Sequence, residues 1–563
     1  MKKPLAIGIE NYKEIIQKKY YYIDKTLLIQ ELLEQRGKVN LFIRPKCFGK
    51  TLALSMLKTY FEEEIDEEGK RIDNSQYFHG MKIMEAGEEY TKYMGRYPVI
   101  SLSLKSAKQP DFILANQIIE EEIAEEFKRH RYILKAEILL ENEKKRFEAF
   151  MSQRASKEEL VSSLKFLSYC LKRYHKQNVI ILLDEYDVPL ENAYFNGFYE
   201  EMIAFIRSLF ESALKTNGNL EFAVITGCLR ISKESIFTGL NHLKIISLLN
   251  NQYAEYFGFT EDEVEFMLKY YDIMDKLDIV KQWYDGYLFG NTEVYNPWSV
   301  IHYIDDAVHG ASFPKPYWSN TSSNSIVREL IETADIRVKA ELETLLAGGR
   351  VRKPVHEDIT YGEIHESQDN LWNFLFFTGY LKMTEQSFES DTIYLTLTIP
   401  NVEIRYIYSN TIQDWFKKKI KKANLEPLYQ AIMGGDSSTF ENVVKKYLRE
   451  SISYYDTKEV FYHGFMISLL SGWQDYEICS NRESGNGRPD ILLKPYDERN
   501  PAIIIEIKFI DKLGLMGMKC EEALRQIEDR EYAVGLLEEG YEQVLKYGIC
   551  FCKKSCMVKK KED

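Results

Sequence analysis

Short apolar-rich runs alternate with longer stretches of helical period through the first half of the chain. Leu41–Ile43, Tyr97–Leu104, Val179–Leu183 and Glu221–Thr226 each end in polar or turn residues. All four read as strands, and the unbroken apolar run Val179–Leu183 reads as one covered on both faces, as in a parallel sheet. Leu27–Leu33, the run after Thr51 and most of 112–174 carry a helical pattern. Strands alternating with helices predict an α/β doubly wound domain, a parallel sheet with helices on both sides. Glu62–Glu68 reads as a solvated acidic turn, and Asp24 and Thr26 read as helix-start residues.

The pattern then changes. Residues 255–345 turn helical, with the turn signals Asp285-Gly286 and Asn296-Pro297 set between aromatic anchors. Leu371–Phe377 reads as a helix before the β segment Thr392–Ile399, which predicts a small winged-helix-like unit. Residues 402–450 read as a charged helical connector. The last hundred residues give a helix (Val460–Leu470), strands at Tyr476–Ser480, Asp490–Leu493 and Ala502–Phe509, a helix at 519–530 and a strand at Tyr547–Cys552. Three domains follow: an α/β domain at 1–254, a helical lid and winged-helix-like connector at 255–450, and a second α/β domain at 451–563.

Length supports that division, because 563 residues exceed what one core holds. The net charge of −14 argues against a protein that coats DNA by bulk electrostatics, though a local basic groove is compatible with it. Met1–Glu10 carries two lysines, but its apolar stretch ends at Glu10, so it does not read as a signal peptide. No run approaches the ~18 apolar residues of a spanning helix. No membrane partner is expected, and the expected location is cytoplasmic. Eight scattered cysteines suit reduced thiols. Cys550, Cys552 and Cys556 cluster, but no second ligand pair sits at zinc spacing.

Two stretches carry chemistry. Arg44-Pro-Lys-Cys-Phe-Gly-Lys-Thr51 lies between a strand and a helix, the layout of a phosphate-binding loop. Lys50 is placed to reach the β- and γ-phosphates and Thr51 to ligate Mg²⁺. Arg44 stands where the usual pattern has glycine. Asp184-Glu185 ends a buried strand, where Asp184 suits the Mg²⁺ shell and Glu185 suits polarising the attacking water. Thr226, ending the next strand, is a candidate γ-phosphate sensor or a hydroxyl satisfying nearby backbone. Near the C-terminus, Asp490 starts a strand, and Glu506 and Lys508 interrupt an apolar one two residues apart, hence on one face. Two carboxylates and the Ile507 carbonyl make a hard-oxygen site for Mg²⁺, with Lys508 beside it to position a nucleophile or offset charge. A structural Glu–Lys pair is the plainer reading. His463 reads as a packing or capping residue.

Together these motifs resemble the bacterial AAA-ATPase-like proteins that carry a C-terminal PD-(D/E)XK nuclease domain. The resemblance rests on Tyr22–Thr26, Arg44–Thr51, Leu182–Asp187, Thr226–Ile231, Trp283–Tyr287, Tyr295–Ser299, Ser484–Asp490, Glu506–Lys508 and Ala523–Ile527. In that family the loop typically reads Arg-Pro-Arg-Arg-Phe-Gly-Lys, so Arg44 follows the family, Lys46 keeps its charge and Cys47 departs from it. The resemblance implies ATP and Mg²⁺ as cofactors, with Arg44, Pro45, Lys46, Phe48, Gly49, Lys50, Thr51, Asp184 and Thr226 around the nucleotide. It implies catalysis by Glu185, Asp490, Glu506 and Lys508, metal contacts from Thr51, Asp184, Asp490 and Glu506, and nucleic acid as partner. A homo-oligomer is compatible with the pattern. Two functions stand: an ATPase coupled to a metal-dependent phosphodiesterase, or an ATP-dependent switch whose nuclease-like domain binds without cutting.

Overall fold

A computed structural model describes residues 2–66, 68–230, 236–237, 242–310, 313–320, 327–328, 336–355, 367–420, 424–451, 459–480, 489–497, 499–510 and 512–562. The chain forms two compact units. One comprises residues 1–322 with 352–403, the other 323–351 with 404–563. The segment 255–450, expected as a middle domain, is divided between them.

The first unit is built on a five-stranded, wholly parallel sheet. Its spatial order is Val99–Ser103, Val179–Asp184, Leu220–Gly227, Val39–Ile43, Leu243–Ile246. The four runs read from sequence are all strands, and Leu243–Ile246 is a fifth that the pattern leaves unmarked. Burial is complete along Val39–Ile43 and Val179–Asp184, which explains the apolar runs Leu41–Ile43 and Val179–Leu183 within them. Leu220–Gly227 lies between those two strands, so three strand ends converge at one edge, where ligands of such sheets bind.

Elsewhere in this unit two readings change. Glu62 is not solvated: it is buried against the guanidinium of Arg129, and Glu64–Ile65 pairs with Arg71–Ile72. Tyr287–Phe289 and Thr292–Val294, within a stretch expected to be helical, form an antiparallel hairpin. The Asn296 side chain caps the helix Pro297–Val308 by accepting from Trp298 N at 3.0 Å. That helix places Ser299 against the buried Glu403, whose carboxylate also accepts from Trp318 N at 2.8 Å. Burial pushes Glu403 up to about 7. Lys382–Glu389, Thr392–Thr398 and Val351–Val355 form a three-stranded sheet beside the helix Gln368–Phe377.

The second unit holds another five-stranded sheet, ordered Tyr476–Ser480, Ile491–Pro495, Ala502–Phe509, Val544–Cys552, Ser555–Lys560. All pairs are antiparallel except Ala502–Phe509 with Val544–Cys552. The final strand extends the predicted order by one. Helix Met516–Asp529 packs closely on Val544–Cys552: a Cβ on Gly548 would come within 2.4 Å of the Cys520 carbonyl oxygen. None of the eight cysteines is in a disulfide, and all but Cys47 are buried. Among the described residues no helix is long and apolar enough to cross a membrane.

Candidate functional sites

Gly49 takes a left-handed backbone, φ 83°, and starts the helix Lys50–Phe61. That turns the helix N-terminus, with its unpaired N–H groups, toward the loop. Lys50 is buried and donates to the Arg44 and Pro45 carbonyls, at 2.9 Å each, and to Cys228 Sγ at 3.5 Å. The loop is thus closed around its own ammonium group. Burial works against that charge, but Cys228, Glu185, Asp187 and Asp184 outweigh it and hold the lysine above its ordinary pKa. Thr51 Oγ1 donates to Asp184 Oδ2 at 2.7 Å, and Thr226 Oγ1 donates to Asp184 Oδ1 at 2.5 Å. The structure therefore brings Lys50, Thr51, Asp184 and Thr226 together.

Glu185 follows with φ 51°, a left-handed conformation that costs a non-glycine residue on the order of 1 kcal/mol. Its N–H reaches Thr226 Oγ1 at 3.3 Å. Burial raises the Glu185 carboxyl; Lys50 opposes the shift, while Asp184 and Asp187 add to it. The bend is held by residues that sequence reasoning left without a role. Asp187 Oδ2 accepts from Cys228 N at 2.7 Å and Leu229 N at 3.0 Å, and Tyr186 Oη donates to the Leu229 carbonyl at 2.5 Å. Gly227 is required there, since a Cβ would lie 2.5 Å from the Tyr186 ring. The signal for this clamp was present in the Leu182–Asp187 and Thr226–Ile231 motifs, although Ile231 itself lies outside the described residues.

Several loop residues expected at the nucleotide direct their side chains elsewhere. Arg44 is fully buried, donates to the Ile43, Ile246 and Ser247 carbonyls at 2.9, 3.2 and 2.7 Å, and lies 5.3 and 5.0 Å from the Phe257 and Phe289 rings. Burial lowers its pKa to about 9. Arg44 therefore ties the loop to the end of the Leu243–Ile246 strand. Phe48 meets Tyr287 and Phe289 at 4.9 and 5.3 Å, and Pro45 lies so near Gly379 that a Cβ there would be 2.9 Å from it. Lys46 pairs with Glu191 at 3.0 Å. The Asp285-Gly286-Tyr287 turn is thereby explained as a support packed on the loop. Thr26 stands at the start of the helix Leu27–Gln35, but neither it nor Asp24 caps that helix with its side chain: Asp24 accepts from Thr26 and from Lys82 N, and Thr26 Oγ1 accepts from Ile83 N, at the start of the helix Lys82–Glu85.

In the second unit Ile491 pairs with Ile505, so Asp490 falls beside Glu506 one step further along the ladder. Asp490 Oδ2 accepts from Ile507 N at 2.7 Å. Glu506 Oε1 accepts from Lys508 Nζ at 3.2 Å and from Gln526 Nε2, and Lys508 Nζ also donates to Gln526 Oε1 at 2.7 Å. Glu506 is 2% exposed, and its Oε2 has no hydrogen-bond partner. Burial, then the Asp490 carboxylate, push Glu506 up to about 7, with Lys508 opposing. Glu506 and Lys508 share a face as expected. Gln526, quoted within a motif but given no role, is the group that locks them together. His463 Nε2 contacts the Asp490 carbonyl oxygen at 3.0 Å. The Ser484–Arg488 part of the glycine turn lies outside the described residues. Among the described residues no group of three or more His, Cys, Asp or Glu side chains is placed to hold a metal.

These two sites define a class: a P-loop sheet with its acidic strand end, joined to a mixed sheet with an Asp, Glu, Lys cluster. Residues 6–237 match the family model of predicted AAA-ATPases, and residues 457–561 match that of the PD-(D/E)XK nuclease superfamily. The chain thus joins an AAA-ATPase-like domain to a PD-(D/E)XK nuclease-superfamily domain. It is also similar to an uncharacterized protein in the vnfD 5' region of Azotobacter chroococcum mcd 1, 26% identical over 333 residues. That match covers 59% of this chain and 56% of the relative's length.

Proposed function

We propose that the chain binds and hydrolyses ATP and uses it to govern metal-dependent cleavage of nucleic-acid phosphodiesters. One observation carries the nuclease half. A buried carboxylate oxygen of Glu506 is left without a partner beside the Asp490 carboxylate, which is costly unless a cation completes the site. The donors fit a hard ion such as Mg²⁺: Asp490, Glu506 and the Ile507 carbonyl would hold it, leaving other positions for water and phosphate oxygen. Bound there, the ion would lower the pKa of water and offset phosphate charge. Lys508, already oriented by Gln526, would hold the nucleophile or the developing negative charge.

In the first unit Lys50 would exchange its two loop carbonyls for phosphate oxygens, and Thr51 and Asp184 would hold the Mg²⁺ of the nucleotide. Glu185, with its raised pKa and its backbone fixed by Thr226, would take a proton from the attacking water. The test is degradation of single- and double-stranded DNA and RNA by wild type and Asp490→Ala with Mg²⁺. The expected result is cleavage lost in the variant and on removal of Mg²⁺. Equal activity in the two proteins would exclude the nuclease site. ATP-dependent retention of nucleic acid without cleavage by wild type would favour the switch reading.

A further inference from the structure

In the first unit, four polar groups that neither proposed activity uses form a continuous hydrogen-bonded chain. Glu63 Oε2 lies 2.9 Å from His175 Nδ1, and His175 Nε2 lies 2.8 Å from Tyr132 Oη. Tyr132 Oη lies 3.0 Å from His130 Nδ1, and His130 Nε2 lies 3.2 Å from the Val99 carbonyl oxygen. Both imidazoles are shut away from solvent, with 2% of the His130 side chain and 1% of the His175 side chain exposed. The chain ties several elements together. Glu63 follows the helix Lys50–Phe61, His175 ends the helix Ser163–His175, His130 closes the helix Phe112–Arg129, and Val99 starts an edge strand of the sheet. Tyr132 and His130 also line a cavity of about 310 Å³, with Glu62, Glu63 and Arg129, which gives a proton its way in.

Four links need four protons, since each hydrogen bond holds one. The ends of the chain, a carboxylate and a carbonyl, only accept, while two neutral imidazoles and one phenol supply three protons. With both rings neutral, one link must therefore set lone pair against lone pair, which is costly in a buried site. The Glu63 carboxylate claims the His175 Nδ1–H. Tyr132 then donates to His175 Nε2 and accepts from His130 Nδ1–H. The open link falls at His130 Nε2, which faces the Glu126 carboxylate at 3.4 Å as well as Val99. One proton there completes the chain. A second does not fit, because both rings would then donate to Tyr132 Oη and leave its own hydrogen without an acceptor. We infer that Glu63, His175, Tyr132 and His130 form a one-proton switch: open by one link when both rings are neutral, and closed onto the Val99–Ser103 strand by a single proton that the two histidines share.

The charged and titratable groups around the chain come from every element packed on it. Lys13 and Lys58 lie across the cavity from Glu62, Glu63 and Glu64, Arg71 pairs with Glu63, Glu126 pairs with Arg129, and Tyr174 stands beside Tyr132. Four carboxylates there meet four cations, so the extra proton is called for by the hydrogen bonds and not by net charge. Burial pulls both imidazoles below their ordinary value, helped by Arg129 at His130 and by Arg71 at His175, while Glu126 and Glu63 oppose it. Uptake therefore lies on the acid side of neutral.

The experiment follows the ring nitrogens of the full chain by NMR, with isotope-labelled histidine, from about pH 8 to about pH 5. The expected result is that His130 and His175 each change only in part, their fractions adding up to one proton. In His175→Gln, whose amide keeps a donor toward Glu63 and an acceptor toward Tyr132, His130 alone should take up the whole proton. Tyr132→Phe deletes only the joining hydroxyl and should give each ring a curve of its own. Two full one-proton curves in wild type would overturn the inference, as would no uptake by either ring across that range. A Tyr132→Phe protein whose rings still share one proton would overturn it too. Should Tyr132→Phe fail to fold, His175→Gln carries the test, and a His130 ring that stays neutral there overturns the switch.

Discussion

At the scale of single residues, ordinary side chains are set in unusual surroundings. Glu506 is the sharpest case. Its carboxyl is pushed up to about 7, so the ionised form that a metal needs is populated only as pH rises through neutrality. Cleavage measured at fixed Mg²⁺ should therefore climb from pH 6 to pH 8, and Gln526→Leu, which removes the amide that bonds both Glu506 and Lys508 but leaves their direct pair, should move that profile rather than only scale it. Arg44 offers a separate test. All three carbonyls are met by one nitrogen, Nη1, but a lysine ammonium cannot reproduce the planar group's packing over Phe257 and Phe289. Arg44→Lys should cost on the order of 2 kcal/mol in denaturant unfolding. Asp184, Glu506 and Lys508 were legible because each interrupts or ends an apolar run where charge needs a reason, Asp490 because it opens the neighbouring strand, and Lys50 and Thr51 because they follow Gly49 between a strand and a helix. The destination of Arg44 was not legible. Its partners are carbonyls of a strand about two hundred residues away, and carbonyls leave no trace in sequence.

At the scale of elements, hydrophobic period found the strands but not their order. That Leu220–Gly227 slides between the Val39–Ile43 and Val179–Asp184 strands is decided by packing across the sheet, and only this order places Thr226 against Asp184. The Tyr287–Val294 hairpin was hidden for a similar reason: its Asp-Gly turn and aromatics satisfy a helix-boundary reading equally well until Phe48 is seen packed on them. The helix Val402–Ile420 gives a prediction at this scale. Glu403, in its first turn, sits among neutral donors and is pushed up to about 7, well above its value in an unfolded chain. The folded state therefore binds the proton more tightly. The contribution is fully present below the unfolded carboxylate range and is lost as pH rises toward 7. Wild type should lose on the order of 2 kcal/mol between pH 5 and pH 8 from this group. Glu403→Gln should flatten that slope in chemical denaturation, and an unchanged slope would remove Glu403 as its source.

At the scale of the whole molecule, the proposal of ATP-governed cleavage makes a demand that neither domain meets alone. Lys50→Ala should reduce phosphate release by about 100-fold or more, the order seen when one fixed charge-stabilising donor is removed. If the domains are coupled, the same substitution must also change the ATP response of nucleic-acid cleavage, although Asp490, Glu506 and Lys508 are untouched. An identical ATP response in Lys50→Ala and wild type would leave two independent activities on one chain. The cysteine distribution supplies the means to watch this. Seven thiols are buried and Cys47 alone is partly exposed, on the Arg44–Thr51 loop itself. A maleimide dye added to the native, unmutated protein should label one position in 563, giving the loop its own optical reporter without engineering a single residue.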